Sequence, residues 1–483
     1  MNAPLRKVAI SVLVLFTLLI LNANYIQVVR SSELRSDPSN TRILAEEYDR
    51  ERGQIVVDGN PVAQSVATDD TLTYLRQYPQ PDLYSTVTGY YSLVYGNSGI
   101  EDAEDEILSG SDDRLAFRRI ADLFTGRDPS GGNVELTLDA ATQQAAFDAL
   151  GGVQGAVVAL DPETGAVLAM VSSPTYDPGQ LSSHDPAAIR AYSDSLSAMD
   201  PDPRINTTVA ERHSPGSVFK LIVSAAALED GYTPDTVVPA PQYYTASDST
   251  RAIPNFGDEV CDPSGEQSLI QALTISCNTA FAGLGVELGE DRVREAAEAF
   301  GIDQGGFTMP LPVVESTVGN VDGNAQLANA SIGQQNVQIT PLQGAMIAAA
   351  IANDGTLMKP YLVDQLQAPD LSGVDQTEPE GRSQPVSADV AEQLQEMMVS
   401  VVDNGSGRRA QIDGYTVGGK TGTAQTTTDG DDNQWFVGFA GPDGDPQIAV
   451  AVFVEGGQGT GGDLSAPVAQ KVMSAYLAAH GGN

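Results

Sequence analysis

The stretch that decides the reading is Pro215-Gly216-Ser217-Val218-Phe219-Lys220, which runs into Leu221-Ile222-Val223-Ser224-Ala225-Ala226-Ala227-Leu228 and stops near Gly231. Pro and Gly punctuate the chain before Ser217, and the apolar run after it predicts a buried helix whose first turn holds Ser217. Residues three apart share a helix face, so the Lys220 amine can approach the Ser217 hydroxyl. A serine there also lies near the positive end of the helix dipole, which favours developing negative charge. A desolvated amine beside another cation has a lowered pKa and can remove the serine proton. Alone, the S-x-x-K pattern is weak, since roughly one or two matches arise by chance in a chain of this length. The bland alternative makes Ser217 an ordinary first-turn residue and Lys220 a snorkelling surface charge. Against it, a helix apolar on most sides is a poor place for an unpaired ammonium.

Two further clusters lie downstream. Ser276-Cys277-Asn278 stands 59 residues after Ser217, inside an otherwise apolar-periodic stretch. Its hydroxyl and amide, two positions apart, could shuttle a proton and hold a substrate amide; as a lone tripeptide it reads equally as a polar helix cap or bend. Lys420-Thr421-Gly422-Thr423 follows 144 residues after Ser276, behind Val417-Gly418-Gly419. On a strand at the rim of a cleft, Lys420 supplies a cation and the threonine hydroxyls a carboxylate site. Gly422 there would let a ligand lie flat against the backbone. The alternative is a plain turn between strands.

Only five lysines occur in the 483 residues (Lys7, Lys220, Lys359, Lys420, Lys471), and two of them fall in these clusters. Against 25 Lys plus Arg stand 64 Asp plus Glu, a formal net charge of −39. Such a field repels phosphate backbones, so no nucleic-acid partner is expected. An acid-rich, lysine-poor surface suits either a high-salt habitat or simply a soluble protein that resists self-association. Three histidines and two cysteines cannot build a structural zinc site or an iron–sulfur cluster at the usual spacings, and no phosphate-cradling glycine motif appears. No metal and no cofactor are expected.

Val8 to Val29 is a run of 22 uncharged residues preceded by Arg6 and Lys7. It is long enough to span a bilayer, with the positive end inside and everything from about Arg30 outside. Asn22-Ala23-Asn24-Tyr25 makes a poor cleavage site, which favours an uncleaved anchor over a signal peptide. An external location permits a disulfide, and Cys261 and Cys277 form either that bridge or two separate buried thiols.

Residues 31 to about 135 carry short strand-like runs, Gln54-Ile55-Val56-Val57 and Leu72-Thr73-Tyr74-Leu75, and no nucleophile arrangement. A boundary is expected at Asp128-Pro129-Ser130-Gly131-Gly132-Asn133. Beyond it come a strand at Glu135–Leu138 and a helix capped by Asp139 and closed by Gly151. A hairpin is expected from Gly155–Leu160 and Ala166–Val171 around Asp161-Pro162-Glu163-Thr164-Gly165. Strands are expected at Tyr415–Gly418, Trp435–Ala440 and Ile448–Glu455, and a terminal helix at Ala466–Ala479. The acidic stretch from Pro369 to Pro385 reads as a surface loop. Strands at both ends with helices between them indicate an α+β fold whose sheet joins distant parts of the chain.

S-x-x-K, S-x-N and K-T-G in that order, downstream of an anchor, resemble the motif set of penicillin-binding proteins and serine β-lactamases. Arg52-Gly53-Gln54-Ile55 looks like an R-G-x-I signature, and Gly333-Gln334 through Thr340-Pro341-Leu342-Gln343 like a G-Q…T-P-L-Q stretch. The chain thus resembles class B penicillin-binding proteins over nearly its whole length, most closely the actinobacterial A-type members. Cys277 departs from the S-D-N form. The resemblance implies a transpeptidase-like fold, an antiparallel sheet packed between helices, preceded by a smaller non-catalytic domain and an N-terminal transmembrane helix. The divisions are 1–29 for tip and anchor, 30–135 for the pedestal or dimerisation-like domain, and 136–483 for the penicillin-binding domain.

It implies a peptidoglycan D,D-transpeptidase acylated by β-lactam antibiotics. Ser217 would be the nucleophile and Lys220 its base, with Ser276 and Asn278 relaying the proton and positioning a stem peptide. Lys420 would tune the electrostatics, Thr421, Gly422 and Thr423 would bind the terminal carboxylate, and the Ser217 and Thr423 N–H groups would form the oxyanion hole. About 120 residues before the hairpin are too few for a glycosyltransferase domain, so strand polymerisation is expected from a membrane partner of the shape or division family. A β-lactamase, a D,D-carboxypeptidase and a non-catalytic β-lactam sensor are the alternatives. The E-x-x-L-N motif of class A β-lactamases is not found.

Overall fold

The computed structural model describes residues 2–30, 48–70, 72–116, 130–425, 432–457 and 459–481. Asp128 and Pro129 of the expected boundary lie outside them. Helix α1 (Asn2–Asn24) exposes Val8, Leu13, Phe16, Leu19 and Leu21 and is long and apolar enough to cross a membrane.

The elements that matter for the site follow in chain order. Strands β1 (Ile55–Val57), β2 (Asn60–Ala67), β3 (Tyr74–Gln77) and β4 (Asn133–Leu136) come first. Helix α2 (Ala140–Leu150) precedes the hairpin β5 (Gly155–Leu160) and β6 (Val167–Ser173). Helices α3 (Lys220–Glu229), α4 (Leu269–Thr274), α5 (Asn278–Leu288) and α6 (Pro341–Ala352) form the middle. Then come β7 (Val363–Gln367), β8 (Gly373–Gln376), α7 (Ala388–Asn404), β9 (Thr416–Ala424), β10 (Asp432–Gly441), β11 (Ile448–Gly457) and α8 (Gly461–His480).

A six-stranded sheet runs β8-β7-β4-β1-β2-β3. The β1–β2 turn is Asp58-Gly59, both at positive φ, as a two-residue hairpin requires. The arginine of the R-G-x-I stretch is buried: Arg52 Nε donates to Glu101 Oε2 at 2.7 Å, while Arg76 Nε donates to Glu101 Oε1 at 2.6 Å. A side chain on Gly53 would strike Gly132 O at 1.7 Å, so the glycine lets the two segments touch. Burial pushes the Glu101 carboxyl up, but Arg76 and Arg52 outweigh it and hold the group below its ordinary value.

The stretch expected as a surface loop at 369–385 instead supplies β8 and a short strand, Gly381–Ser383. β8 is an edge strand, and its polar residues face water where an apolar alternation would normally mark a strand.

The second sheet has five strands, ordered β9-β10-β11-β5-β6, all antiparallel. Along β11, Ala449, Ala451 and Phe453 join one apolar cluster with α6, while Ile448, Val450, Val452 and Val454 join another with α2 and α8. Both faces are covered, so the strand reads as one apolar run rather than an alternation. This is the α+β arrangement expected, a sheet between helices. Asp139 caps α2 by accepting from Thr142 N–H, and Gly151 closes it at φ 60°.

Several expected elements were short; β10, for one, begins at Asp432 rather than Trp435. β9 continues past Gly418 through the K-T-G-T residues to Ala424. Gly418 and Gly419 are strand residues whose side-chain space is filled by the Phe439 and Phe436 rings, and the turn offered as the alternative for Lys420–Thr423 does not form. α8 starts at Gly461 rather than Ala466 because Thr460 and Asp463 form a capping box there.

Candidate active site

Gly216–Phe219 is a tight 3-10 turn that feeds α3. Residues three apart eclipse in such a turn, which stacks Ser217 and Lys220 on one side. The turn is held from three directions. Gly216 N–H donates to Gly333 O at 3.0 Å, Trp435 Nε1 donates to Ser214 O at 3.0 Å, and Pro215 O lies against Gly422. Gly333, at φ +71°, comes so near that a side chain there would sit 1.9 Å from Gly216 O. The G-Q stretch therefore has a local reason: only glycine admits the nucleophile turn at that distance. Gly422 acts likewise, since a Cβ would meet Pro215 O at 2.5 Å; the space expected for a ligand is taken by the turn itself.

Ser276 sits in the break between α4 and α5, at φ +62°, unusual for a residue with a side chain. Neither a continuous helix nor a simple cap, the break aims both the carbonyl and the hydroxyl of Ser276 at the lysines. Lys220 Nζ donates to Ser276 O and Asn278 Oδ1, each at 2.8 Å, and lies 3.2 Å from Ser276 Oγ. Lys420 Nζ reaches Ser276 Oγ and Thr421 O, both at 2.9 Å. Asn278 Nδ2 donates to Pro254 O at 3.3 Å. Cys277 and Cys261 are joined in a disulfide with their Cα atoms 5.9 Å apart, which ties the break to the segment before it.

Both lysines are fully buried. Burial drives the Lys220 amine well below its ordinary value, and the neighbouring Lys420 cation pushes it the same way. Burial alone lowers Lys420 to about 7. Two ammonium groups around one hydroxyl are unfavourable, and burial together with the Lys420 cation drives Lys220 toward its neutral form. Among the described residues no hydrogen bond joins Lys220 Nζ to Ser217. A neutral amine has two N–H donors, and Ser276 O and Asn278 Oδ1 take both. Ser276 Oγ, 3.2 Å away, is the third group around the amine.

β9 is an edge strand. Gly422 pairs with Trp435 of β10, and a Cβ on Gly216 would lie 2.6 Å from Thr423 O. The Thr423 carbonyl, and with it the Thr423 N–H, therefore points away from β10 toward the nucleophile turn. Lys420, Thr421, Gly422 and Thr423 thus lie on the edge strand beside the nucleophile turn, and among the described residues no cluster of His, Cys, Asp or Glu is placed to hold a metal. The arrangement can activate a hydroxyl, receive an oxyanion on backbone N–H groups and present hydroxyls to an anion. Sequence reading missed Ser406 and Gln434, which contact Thr421 and Thr423; each lies on a segment with no polar motif of its own.

Residues 155–474 match the model of the penicillin binding protein transpeptidase domain, and residues 52–134 that of the penicillin binding protein A dimerisation domain. The chain is 45% identical to the peptidoglycan D,D-transpeptidase PbpA of Mycolicibacterium smegmatis, covering 99% of each. The ceftriaxone acyl-enzyme complex of penicillin-binding protein A from M. tuberculosis superposes with a TM-score of 0.87 at 44% identity, over 90% of this chain and 100% of that one. A D,D-transpeptidase domain from Eggerthella lenta gives a TM-score of 0.78 at 35% identity, over 90% and 99%.

Proposed function

The chain belongs to the penicillin-binding protein transpeptidase family, and we propose that it is a peptidoglycan D,D-transpeptidase with Ser217 as its nucleophile. The convergence on Ser276 of two buried lysines, one of them a single turn from Ser217, carries this reading. Lys220, neutral and desolvated, takes the Ser217 proton as Oγ attacks the carbonyl of the D-Ala-D-Ala bond of a stem peptide. The oxyanion collects on the N–H groups of Ser217 and Thr423. The C–N bond breaks, and the proton passes through Ser276 to the departing D-alanine amine. An amine of a neighbouring stem peptide then attacks the ester, forms the cross-link and returns a proton to Ser217. Asn278, fixed by Lys220 and Pro254 O, holds the donor peptide, and Thr421 and Thr423 receive its terminal carboxylate. β-Lactam antibiotics enter as acyl donors whose leaving group stays attached.

We assign residues 1–29 to a membrane anchor, 30–135 to a pedestal, and 136–483 to the catalytic unit in the extracytoplasmic space. Glycan polymerisation then comes from a separate membrane glycosyltransferase. Labelling with a fluorescent penicillin tests the reading: a stable adduct on the wild type, absent from Ser217→Ala, is expected. Rapid drug turnover would mark a β-lactamase instead. With a strand-derived amine acceptor, D-alanine release without cross-links would mark a carboxypeptidase.

A further inference from the structure

The two threonine hydroxyls at the cleft edge are not equivalent. Thr423 Oγ1 lies 3.2 Å from Gln434 Oε1, and the fully buried Gln434 amide is oriented by its Nε2, which donates to Asp432 O and Gly457 O at 3.2 and 3.3 Å. Its oxygen therefore faces Thr423 and takes the Thr423 proton. Thr423 Oγ1 also accepts from Gly461 N–H at 3.4 Å. That hydroxyl is committed before any substrate arrives.

Thr421 differs. Its side chain is buried, and among the described residues its hydroxyl has one hydrogen-bond partner, Ser406 Oγ at 2.6 Å. Ser406 follows the end of α7 and is itself exposed, with its N–H on Thr274 O at 3.4 Å. Its carbonyl packs against Gly462. The backbone is thereby pinned and the hydroxyl is left to serve Thr421. A hydroxyl has a single proton, so the pair can be oriented in two ways. If Thr421 donates to Ser406, a lone pair faces the cleft and repels a carboxylate. If Ser406 donates to Thr421, the Thr421 proton is free for the carboxylate, and each bond polarises the next.

We propose that Ser406 is a positioning residue for recognition of the donor's terminal carboxylate, donating to Thr421 so that Thr421 donates to the anion. This rests on the transpeptidase reading and sharpens it, since it makes Thr421 rather than Thr423 the principal hydroxyl donor to that carboxylate.

The test compares second-order acylation rates for two acyl-D-alanyl thioesters, one ending in a free carboxylate and the other in the primary amide. Ser406→Ala is expected to slow the carboxylate substrate about three- to tenfold, as loss of one hydrogen bond does, and the amide by less than twofold. Ser406→Thr, which keeps a hydroxyl, restores the rate. Ser406→Ala added to Thr421→Val costs nothing further on the carboxylate substrate. Equal losses on both substrates, no loss on either, or full additivity with Thr421→Val would each overturn the proposal while leaving the transpeptidase reading intact. Failure of the wild type to acylate Ser217 would remove both.

Discussion

Replacing Gly333 by alanine is the sharpest perturbation this site offers, because the substituted atom touches no substrate. The new Cβ would lie 1.9 Å from Gly216 O and 2.9 Å from Gly216 Cα, in a backbone conformation at φ +71°. The conformation alone costs about 1–2 kcal/mol for an L-residue. The contact costs more, since a Cβ keeps at least 3.0 Å from backbone and the nucleophile turn must shift by over an ångström. A misplacement of that size lowers rates roughly hundredfold. We expect Gly333→Ala to fold, to melt earlier, and to acylate Ser217 about two orders of magnitude more slowly, measured by stopped-flow with a chromogenic β-lactam. Gly231→Ala is the control, for Gly231 has φ +92° with nothing within 4 Å of its would-be Cβ. That variant carries the conformational cost and keeps the rate. A wild-type acylation rate in Gly333→Ala, or matching losses in both variants, would refute the claim that this contact seats the nucleophile.

Because burial and Lys420 hold Lys220 below its ordinary value, the acylation rate should fall in acid as Lys220 gains a proton and loses its role as base. Lys420→Met removes a cation that opposes that proton, so its acid limb should move to higher pH; an unmoved limb would contradict the coupling. Glu101→Gln leaves Arg52 and Arg76 without their buried partner and should cost about 3–5 kcal/mol in urea unfolding. Since Glu101 titrates below its ordinary value in the fold, its contribution is complete above about pH 4.3 and is lost as pH falls through the lower folded value; the variant should lack that acid dependence. Reducing the Cys261–Cys277 bridge should destabilise by about 3 kcal/mol on the chain-entropy account, and identical urea midpoints with and without reductant would count against it.

What the sequence determined by itself was everything governed by local pattern. The apolar runs of β5, β6 and β11, the Asp139 and Gly151 caps of α2, and the turn before Ser217 all follow from composition at short range. The three polar clusters stood out because lysine is so scarce that two of five could hardly fall there by accident. The membrane-length helix likewise needed only its own residues.

Tertiary structure alone decided where polar or glycine-rich segments go. Residues 373–376 look like loop because an edge strand keeps polar side chains in water, even though its pairing partner β7 is the strand just before it. The expected strand stopped at Gly418 because the atoms that justify two successive glycines belong to Phe436 and Phe439 on the next strand. Ser276 reads as a cap until two lysines, 56 residues before it and 144 after, converge on its hydroxyl. Ser406 and Gln434 carry no pattern at all, since the pairings that give them meaning form only when α7, β9 and β10 are packed. A hydrogen bond reports distance in space, and sequence spacing encodes that distance only within a turn or a strand pair.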